Sequence, residues 1–429
     1  MGKEIAAGAA ALALTLLDGC ATLPNVAPEI EQAAAQRSAD PRQEIALFQS
    51  WGEHIAGRPF IAGNNVTIKR NGRQALPALA ATIGAARTRI DMESYEFDED
   101  EGARFGALLL QKRRDGLQVH LIYDGWGALG SAALVQKLRT SGVTVLNYNP
   151  LGLNPRVPID LNDRDHRKLL VTDGAVAVTG GINITRVNTN RKQPGVTDPD
   201  EMAWRDTDVV VQGPAVAEFQ RLFLQTWQLQ HGPPLPPPPA TPQTPRGEAL
   251  VQAIDGTPAA GRPDIYRSLL VAITLAERTV HLTTGFFVPP PDLSGVLQDA
   301  ARRGVEVSLV LPGHSDSPFA LAAGRDTYGP LLHAGVHIYE RKGVVLHAKT
   351  AVIDGVWSAV GSSNLDWRSV LFNSEIDAVI LDRDFGKEME AMFADDVAQS
   401  RIIDPAAWAR RGVGERLWEW SASLWSRLL

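Results

Sequence analysis

Two stretches decide the fold: His166-Arg-Lys168-Leu-Leu-Val-Thr-Asp173, followed by Gly180-Gly181-Ile-Asn183, and His347-Ala-Lys349-Thr-Ala-Val-Ile-Asp354, followed by Gly361-Ser362-Ser-Asn364. Both fit H-x-K-x4-D-x6-G-x-x-N with the same internal spacing. At average residue usage, five fixed positions arise by chance on the order of 10⁻⁷ per start point. The run from His to Asp alternates as a strand, so His and Lys, two apart, face the same way. Asp173-Gly174 and Asp354-Gly355 suit a tight hairpin, and the returning strand brings Gly180, Gly181 or Gly361 and then the asparagine back beside the pair. Asp173 and Asp354 are therefore read as turn residues. One face of each motif presents an imidazole, an ammonium and an amide.

That set matches the needs of a phosphodiester reaction: a nucleophile for phosphorus, donors for its oxygens, and an acid for the leaving alkoxide. His166, Lys168, His347 and Lys349 are the candidate catalytic groups. Asn183 and Asn364, with Ser362 beside the latter, are the candidate phosphate donors. One histidine attacking phosphorus cannot protonate an oxygen departing on the opposite side, whereas two opposed histidines can divide the roles. No metal and no cofactor is then required. A nucleophilic imidazole needs its second nitrogen held. Carboxylates follow each motif in Trp204-Arg205-Asp206-Thr-Asp208 and Asn373-Ser374-Glu375-Ile-Asp377. Their strand patterns set Glu375 opposite Asp206, and these two carboxylates are expected to orient His347 and His166, with no crossing between the halves read from the sequence.

Outward from the motifs, the halves repeat. An apolar-periodic stretch from Gln74 to Arg87 leads into a strand over 89–97, then a helix, Asp115-Gly116 and a strand over 119–124. Ile265 to Glu277 leads into a strand over 280–288, then a helix, Arg303-Gly304 and a strand over 305–311. Alternating strand and helix periods imply α/β units with a mixed, mostly parallel sheet in each half, and a repeat of this length reads as a duplication. Eight prolines between Pro233 and Pro245 make a stiff spacer between the halves. His120 and His281, on expected strands, read as sheet residues.

With a net charge of −7 over 429 residues, the chain lacks the basic surplus usual for a non-specific nucleic-acid binder. Ile5 to Leu17 is an apolar run too short to span a bilayer, which needs about 20 residues, and reads as a signal-peptide core. It ends at the chain's one cysteine, Cys20, in a setting that resembles a bacterial lipobox, although Asp18 departs from that pattern. At the other end, Glu415 to Leu429 puts Leu417, Trp418, Trp420, Leu424, Trp425, Leu428 and Leu429 on about half of a helix surface. This is either a terminal helix docked on the core or an interfacial helix suited to a headgroup boundary.

The doubled motif resembles the phospholipase D superfamily. The flanking residues, Arg164-Asp165-His166-Arg167-Lys168, Gly180-Gly181-Ile-Asn183, Trp204-Arg205-Asp206-Thr207, Phe287-Val288-Pro289, Asn364-Leu-Asp366-Trp-Arg368-Ser369 and Asn373-Ser374-Glu375, resemble bacterial cardiolipin synthases from about Gly63 to Arg401. The resemblance implies two similar α/β/α lobes forming one pseudo-two-fold active site. It divides the chain into a signal peptide (1–20), an N-terminal extension (21–62), a first phospholipase D-like domain (63–231), the proline-rich linker (232–247), a second such domain (248–405) and a C-terminal amphipathic helix (406–429). It further implies a phosphatidyltransferase with phosphatidylglycerol as donor and acceptor, working through a covalent phosphatidyl-histidine, with His166 as nucleophile and His347 as general acid. A lipid anchor at Cys20 would make it a periplasmic, membrane-associated lipoprotein, sorted to the outer membrane by Ala21. Phe286 stands where the family often has Tyr. The polar loop from Thr189 to Glu201, with Arg191 and Lys192, is expected to be solvated. A hydrolytic phospholipase D, a nuclease and a non-catalytic lipoprotein are the alternatives, and the motifs do not separate the first of these from a transferase.

Overall fold

A computed structural model describes residues 22–38, 40–150, 162–189, 202–242 and 244–429. The signal sequence with Cys20, and all of the 189–201 loop except Thr189, lie outside the described residues.

Each half lays down the same series of strands. In the first, sheet neighbours run Thr144–Tyr148, Gln118–Asp124, Arg89–Ser94, Leu169–Thr172, Val176–Gly180, Thr207–Gln212, Ile61–Arg70. In the second they run His337–Arg341, Glu306–Pro312, Thr279–Thr283, Thr350–Ile353, Trp357–Gly361, Asn373–Leu381, Ala249–Thr257. The sheets are mixed, as expected, but not mostly parallel. In each half two of these six pairings are parallel and four antiparallel. The parallel pairs come from strand–helix–strand crossovers, which strand and helix periodicity reveals. The antiparallel ones come from the motif hairpin and from a first strand whose partners lie far along the chain.

That first strand joins the halves. Ile61–Arg70 pairs antiparallel with Thr207–Gln212 of its own half and, through Ile61 and Asn64, with Ala249–Thr257 of the other. The core is continuous across the join. Phe219, Phe223 and Trp227 from helix Val216–Leu229 belong to one cluster with Ile376, Ile380, Phe385 and Met389. Truncating such a phenylalanine to alanine costs about 3–5 kcal/mol. The N-terminal helices pack on the second half. Pro41–Ala56 begins at Asp40, whose side chain accepts from Arg42 N, and ends at Gly57 in the left-handed region. It buries Phe48, Trp51 and Ile55 in the cluster that holds Tyr266 and Leu269. Buried Glu44 ties it to Arg278 at 2.5 Å and Arg383 at 2.9 Å.

The motif aspartates hold more than their own turns. Asp173 and Asp354 have φ of 55° and 53°, each followed by a glycine at 63°, the two positive values of a type I′ hairpin. The Asp354 carboxylate also accepts from the backbone N–H groups of Glu277 (2.9 Å), Arg278 (2.7 Å) and Thr279 (2.8 Å). Asp173 does the same for Arg87, Thr88 and Arg89 at 2.7–2.9 Å. Each therefore fixes the start of the strand that its own hairpin pairs with. Asp354→Ala is expected to cost about 2–4 kcal/mol, because three donors lose a charged acceptor. Asp354→Asn, which tolerates the turn, should recover only part of that. Urea midpoints at constant m-value measure both, and an unshifted midpoint for the alanine variant would contradict this role.

Candidate active site

The site forms where the halves exchange short strands. Trp204–Arg205 pairs in parallel with Val345–Leu346, the residues leading into His347. Asn373–Ser374 pairs in parallel with Arg164–Asp165, the residues leading into His166. The backbone of each histidine is held by the opposite half: His166 N donates to Ser374 O at 2.9 Å and His347 N to Arg205 O at 2.8 Å. The regular strands therefore begin only after the lysines, at Leu169 and Thr350.

This exchange puts the next residue of each invading segment against the other half's imidazole. Glu375 receives His166 Nδ1 at 2.9 and 3.0 Å, and Asp206 receives His347 Nδ1 at 2.7 Å. Both carboxylates have no exposed surface. The two residues expected to orient the histidines do meet them, each across the pseudo-two-fold axis. The imidazole centres lie 6.5 Å apart with planes at 75°. Half that separation is near hydrogen-bond reach, about 2.6–3.2 Å, so one phosphoryl group can touch both rings.

The glycines of the motif make room for these acids. A Cβ on Gly181 would overlap the Asp206 carboxylate, and one on Gly180 or Gly361 would overlap Asp208 or Asp377. Asp377 accepts from Ser362 N at 3.1 Å and Asp208 from Ile182 N at 3.1 Å, which fixes the turns that carry the asparagines. Ser362, expected near phosphate, instead donates its hydroxyl to Glu375 at 2.5 Å, and Ser369 donates to the other oxygen at 2.9 Å.

Lys168 and Lys349 are both buried, and each ammonium donates to the carbonyl of its own motif histidine. Asn183 donates through Nδ2 to Glu96 at 2.9 Å. The Oδ1 atoms of Asn183 and Asn364 are buried and lack a partner among the described residues. Tyr95 stands edge-on to His166 at 5.1 Å and 5.0 Å from Lys168 Nζ, and Trp204 lies 4.8 Å from the His347 ring. Arg167, pointing away from its neighbours His166 and Lys168, spans the halves, donating to Thr226 and Thr257 at 2.6 Å each with Glu93 at 3.4 Å. Tyr95, Glu96, Ser369 and Arg167 were not given roles from sequence. Only Arg167 carried a signal, as a charged residue in the inward-facing gap of a motif strand. His120 and His281 sit in the sheets on Asp91 (2.5 Å) and Glu390 (2.6 Å).

Burial and the two lysines hold the His166 imidazole well below its usual value. Burial, with Lys349, brings His347 to about 4 against the pull of Asp206. Both rings are thus neutral near pH 7, donating from Nδ1 and leaving Nε2 as the remaining nitrogen. Burial lifts Glu375 to about 7, against Lys168 and the serine hydroxyls. Burial lowers Lys168 to about 8, against Glu375. The carboxylate form of Glu375 needs pH above its value and the ammonium form of Lys168 needs pH below its own. A bell-shaped kcat/KM on phosphodiester is therefore expected, with its maximum between 7 and 8. A flat profile from about pH 5 to 9 would contradict both assignments.

A family model described as "Cardiolipin synthase, PLD-like domain" matches residues 79–227 and 269–397. The cardiolipin synthase of Geobacillus kaustophilus is 31% identical over 396 residues, covering 90% of this chain and 76% of the relative. Cardiolipin synthase A of Erwinia tasmaniensis is 31% identical over 392 residues, covering 90% and 79%. The crystal structure of phosphatidylserine synthase from Haemophilus influenzae has the same fold, with a TM-score of 0.63 at 12% identity, covering 89% of this chain and 99% of that one.

Proposed function

The chain belongs to the cardiolipin synthase, phospholipase D-like family and is an enzyme of the phosphatidyltransferase/phospholipase D class; from that premise we propose that it joins two phosphatidylglycerol molecules through a phosphatidyl-histidine. The observation that carries the reading is the pair of imidazoles, 6.5 Å apart, each seated on a carboxylate from the opposite half. Glu375 fixes the His166 tautomer, so Nε2 can attack phosphorus while the bond from phosphorus to the headgroup oxygen breaks. The phosphodiester anion, arriving between the rings, favours the cationic form of His347. His347 then gives its proton to the departing glycerol. In the second step His347 takes the proton of an acceptor hydroxyl, whose oxygen displaces His166 from phosphorus. Lys168 and Lys349 offset the charge on the phosphoryl oxygens throughout.

The C-terminal segment supports a lipid surface as the working site. Helix Val413–Ser423 buries Ala422 and Glu419 but leaves Leu417, Trp418, Trp420 and, just beyond it, Leu424 more than half exposed. It is therefore docked and still presents an apolar face of the kind that sits in a headgroup boundary. Among the described residues no helix is long and apolar enough to cross a membrane. An acyl anchor on Cys20 in the bacterial envelope completes the proposal, and the mass of the detergent-extracted mature protein tests it: an intact Met1 without lipid would remove it.

Detergent-solubilised enzyme incubated with phosphatidylglycerol and EDTA should yield cardiolipin and glycerol by mass spectrometry. Phosphatidic acid alone would make it a hydrolase. Cleavage of nucleic acid or a model phosphodiester, with phospholipid untouched, would make the substrate assignment wrong.

A further inference from the structure

Position 96 breaks the symmetry of the site. Phe97 bridges Ile184 as Phe287 pairs with Leu365, so Tyr95 and Glu96 correspond to Gly285 and Phe286. The second half offers no side chain at 285, where a Cβ would lie 2.8 Å from the Cα of His347. The first half offers a ring against His166 and a carboxylate. That carboxylate is fixed: Asn183 Nδ2 donates to Glu96 Oε2 at 2.9 Å, and only the amide nitrogen can face it attractively. Glu96 lies within electrostatic range of Lys168, Lys349 and Asp316.

The charges in this site do not fit a pocket built for phosphate alone. With neutral imidazoles, Lys168 and Lys349 lie among the carboxyl groups of Asp206, Glu375, Glu96, Asp316 and Asp366. Asp206 and Glu375 are committed to the histidines, and Glu96 touches neither. A phosphodiester brings a further negative charge, which an ionised Glu96 repels. Burial raises the Glu96 carboxyl above its usual range, and a ligand hydroxyl beside the phosphodiester suits it in either form, donating to the carboxylate or accepting from the acid. In an alcohol exchange the donors supplied are the hydroxyls of the departing and entering alcohols. The two alcohols use one locus, because the acceptor enters where the leaving group departed.

We propose that Glu96, held by Asn183, binds a non-reacting hydroxyl of a polyol headgroup and so selects polyol acceptors over simple alcohols and water. This rests on the phosphatidyl-transfer reading above. Ethanol carries only its reacting hydroxyl, so it gains nothing from Glu96, whereas the glycerol headgroup carries a second one.

The test is competition within one tube: phosphatidylglycerol in detergent with a fixed concentration of ethanol, for wild type, Glu96→Gln and Glu96→Leu. The ratio of cardiolipin to phosphatidylethanol is read by mass spectrometry. Because both products come from one phosphatidyl-enzyme, the ratio does not depend on how much of a variant is folded. Glu96→Leu is expected to lower it by about tenfold or more, the effect of losing one hydrogen bond to a charged group. Glu96→Gln, which keeps an acceptor for Asn183, should lie between. An unchanged ratio in Glu96→Leu overturns the inference while leaving the transferase intact. Wild type that yields phosphatidic acid and no cardiolipin overturns the transferase reading, and the inference falls with it.

Discussion

Alanine at His166 or at His347 is expected to lower turnover of phosphatidylglycerol by about 10⁴–10⁶-fold, the scale on which groups acting as a catalytic unit fail when one is removed. The two losses should differ in kind. His166 sits on a carboxylate braced by two serine hydroxyls, Ser362 at 2.5 Å and Ser369 at 2.9 Å. His347 sits on Asp206, which at the equivalent of Ser362 meets Gly181, a residue with no hydroxyl. The braced imidazole is the one assigned to attack. Without His347 the phosphorus–nitrogen bond can still form slowly and then persists, since nothing takes the proton of the acceptor. Without His166 it cannot form at all. Enzyme denatured at alkaline pH, which preserves a phosphorus–nitrogen bond, after mixing with lipid carrying labelled phosphate, should therefore retain label in His347→Ala and none in His166→Ala. The reverse pattern would exchange the roles, and label in neither would remove the covalent intermediate.

The second large effect is expected at the crossed carboxylates. Glu375→Gln and Asp206→Asn preserve shape but let the imidazole take the wrong tautomer, which costs about 10²–10⁴-fold where a histidine depends on one acceptor. The crossing makes this testable residue by residue. The Nδ1 proton of His166 should give a downfield resonance that disappears in Glu375→Gln and survives in Asp206→Asn, and that of His347 should behave in the opposite way. Loss of the His347 signal in Glu375→Gln would mean that each half serves its own histidine in solution, contrary to the 2.7 Å bond from His347 to Asp206.

The sequence by itself determined the parts of this protein that depend on near neighbours. Two-residue spacing put His166 with Lys168 and His347 with Lys349. The Asp-Gly pairs fixed type I′ turns because both residues must accept positive φ. Alternating strand and helix periods gave the duplicated α/β halves, and strand alignment picked out Asp206 and Glu375. The tertiary structure alone decided how these parts are shared. Glu375 reaches His166 across 209 residues of chain and Asp206 reaches His347 across 141. No local periodicity encodes a pairing at that range. It arises because the segments before each carboxylate join the other half's motif as short parallel strands, and because a continuous core fixes the two sheets against each other. The balance of antiparallel pairing, the seat of the N-terminal helices on the second half, the bracing serines and the carboxylate of Glu96 were hidden for the same reason. Each depends on which surfaces bury together, and burial between distant segments is set by the whole fold.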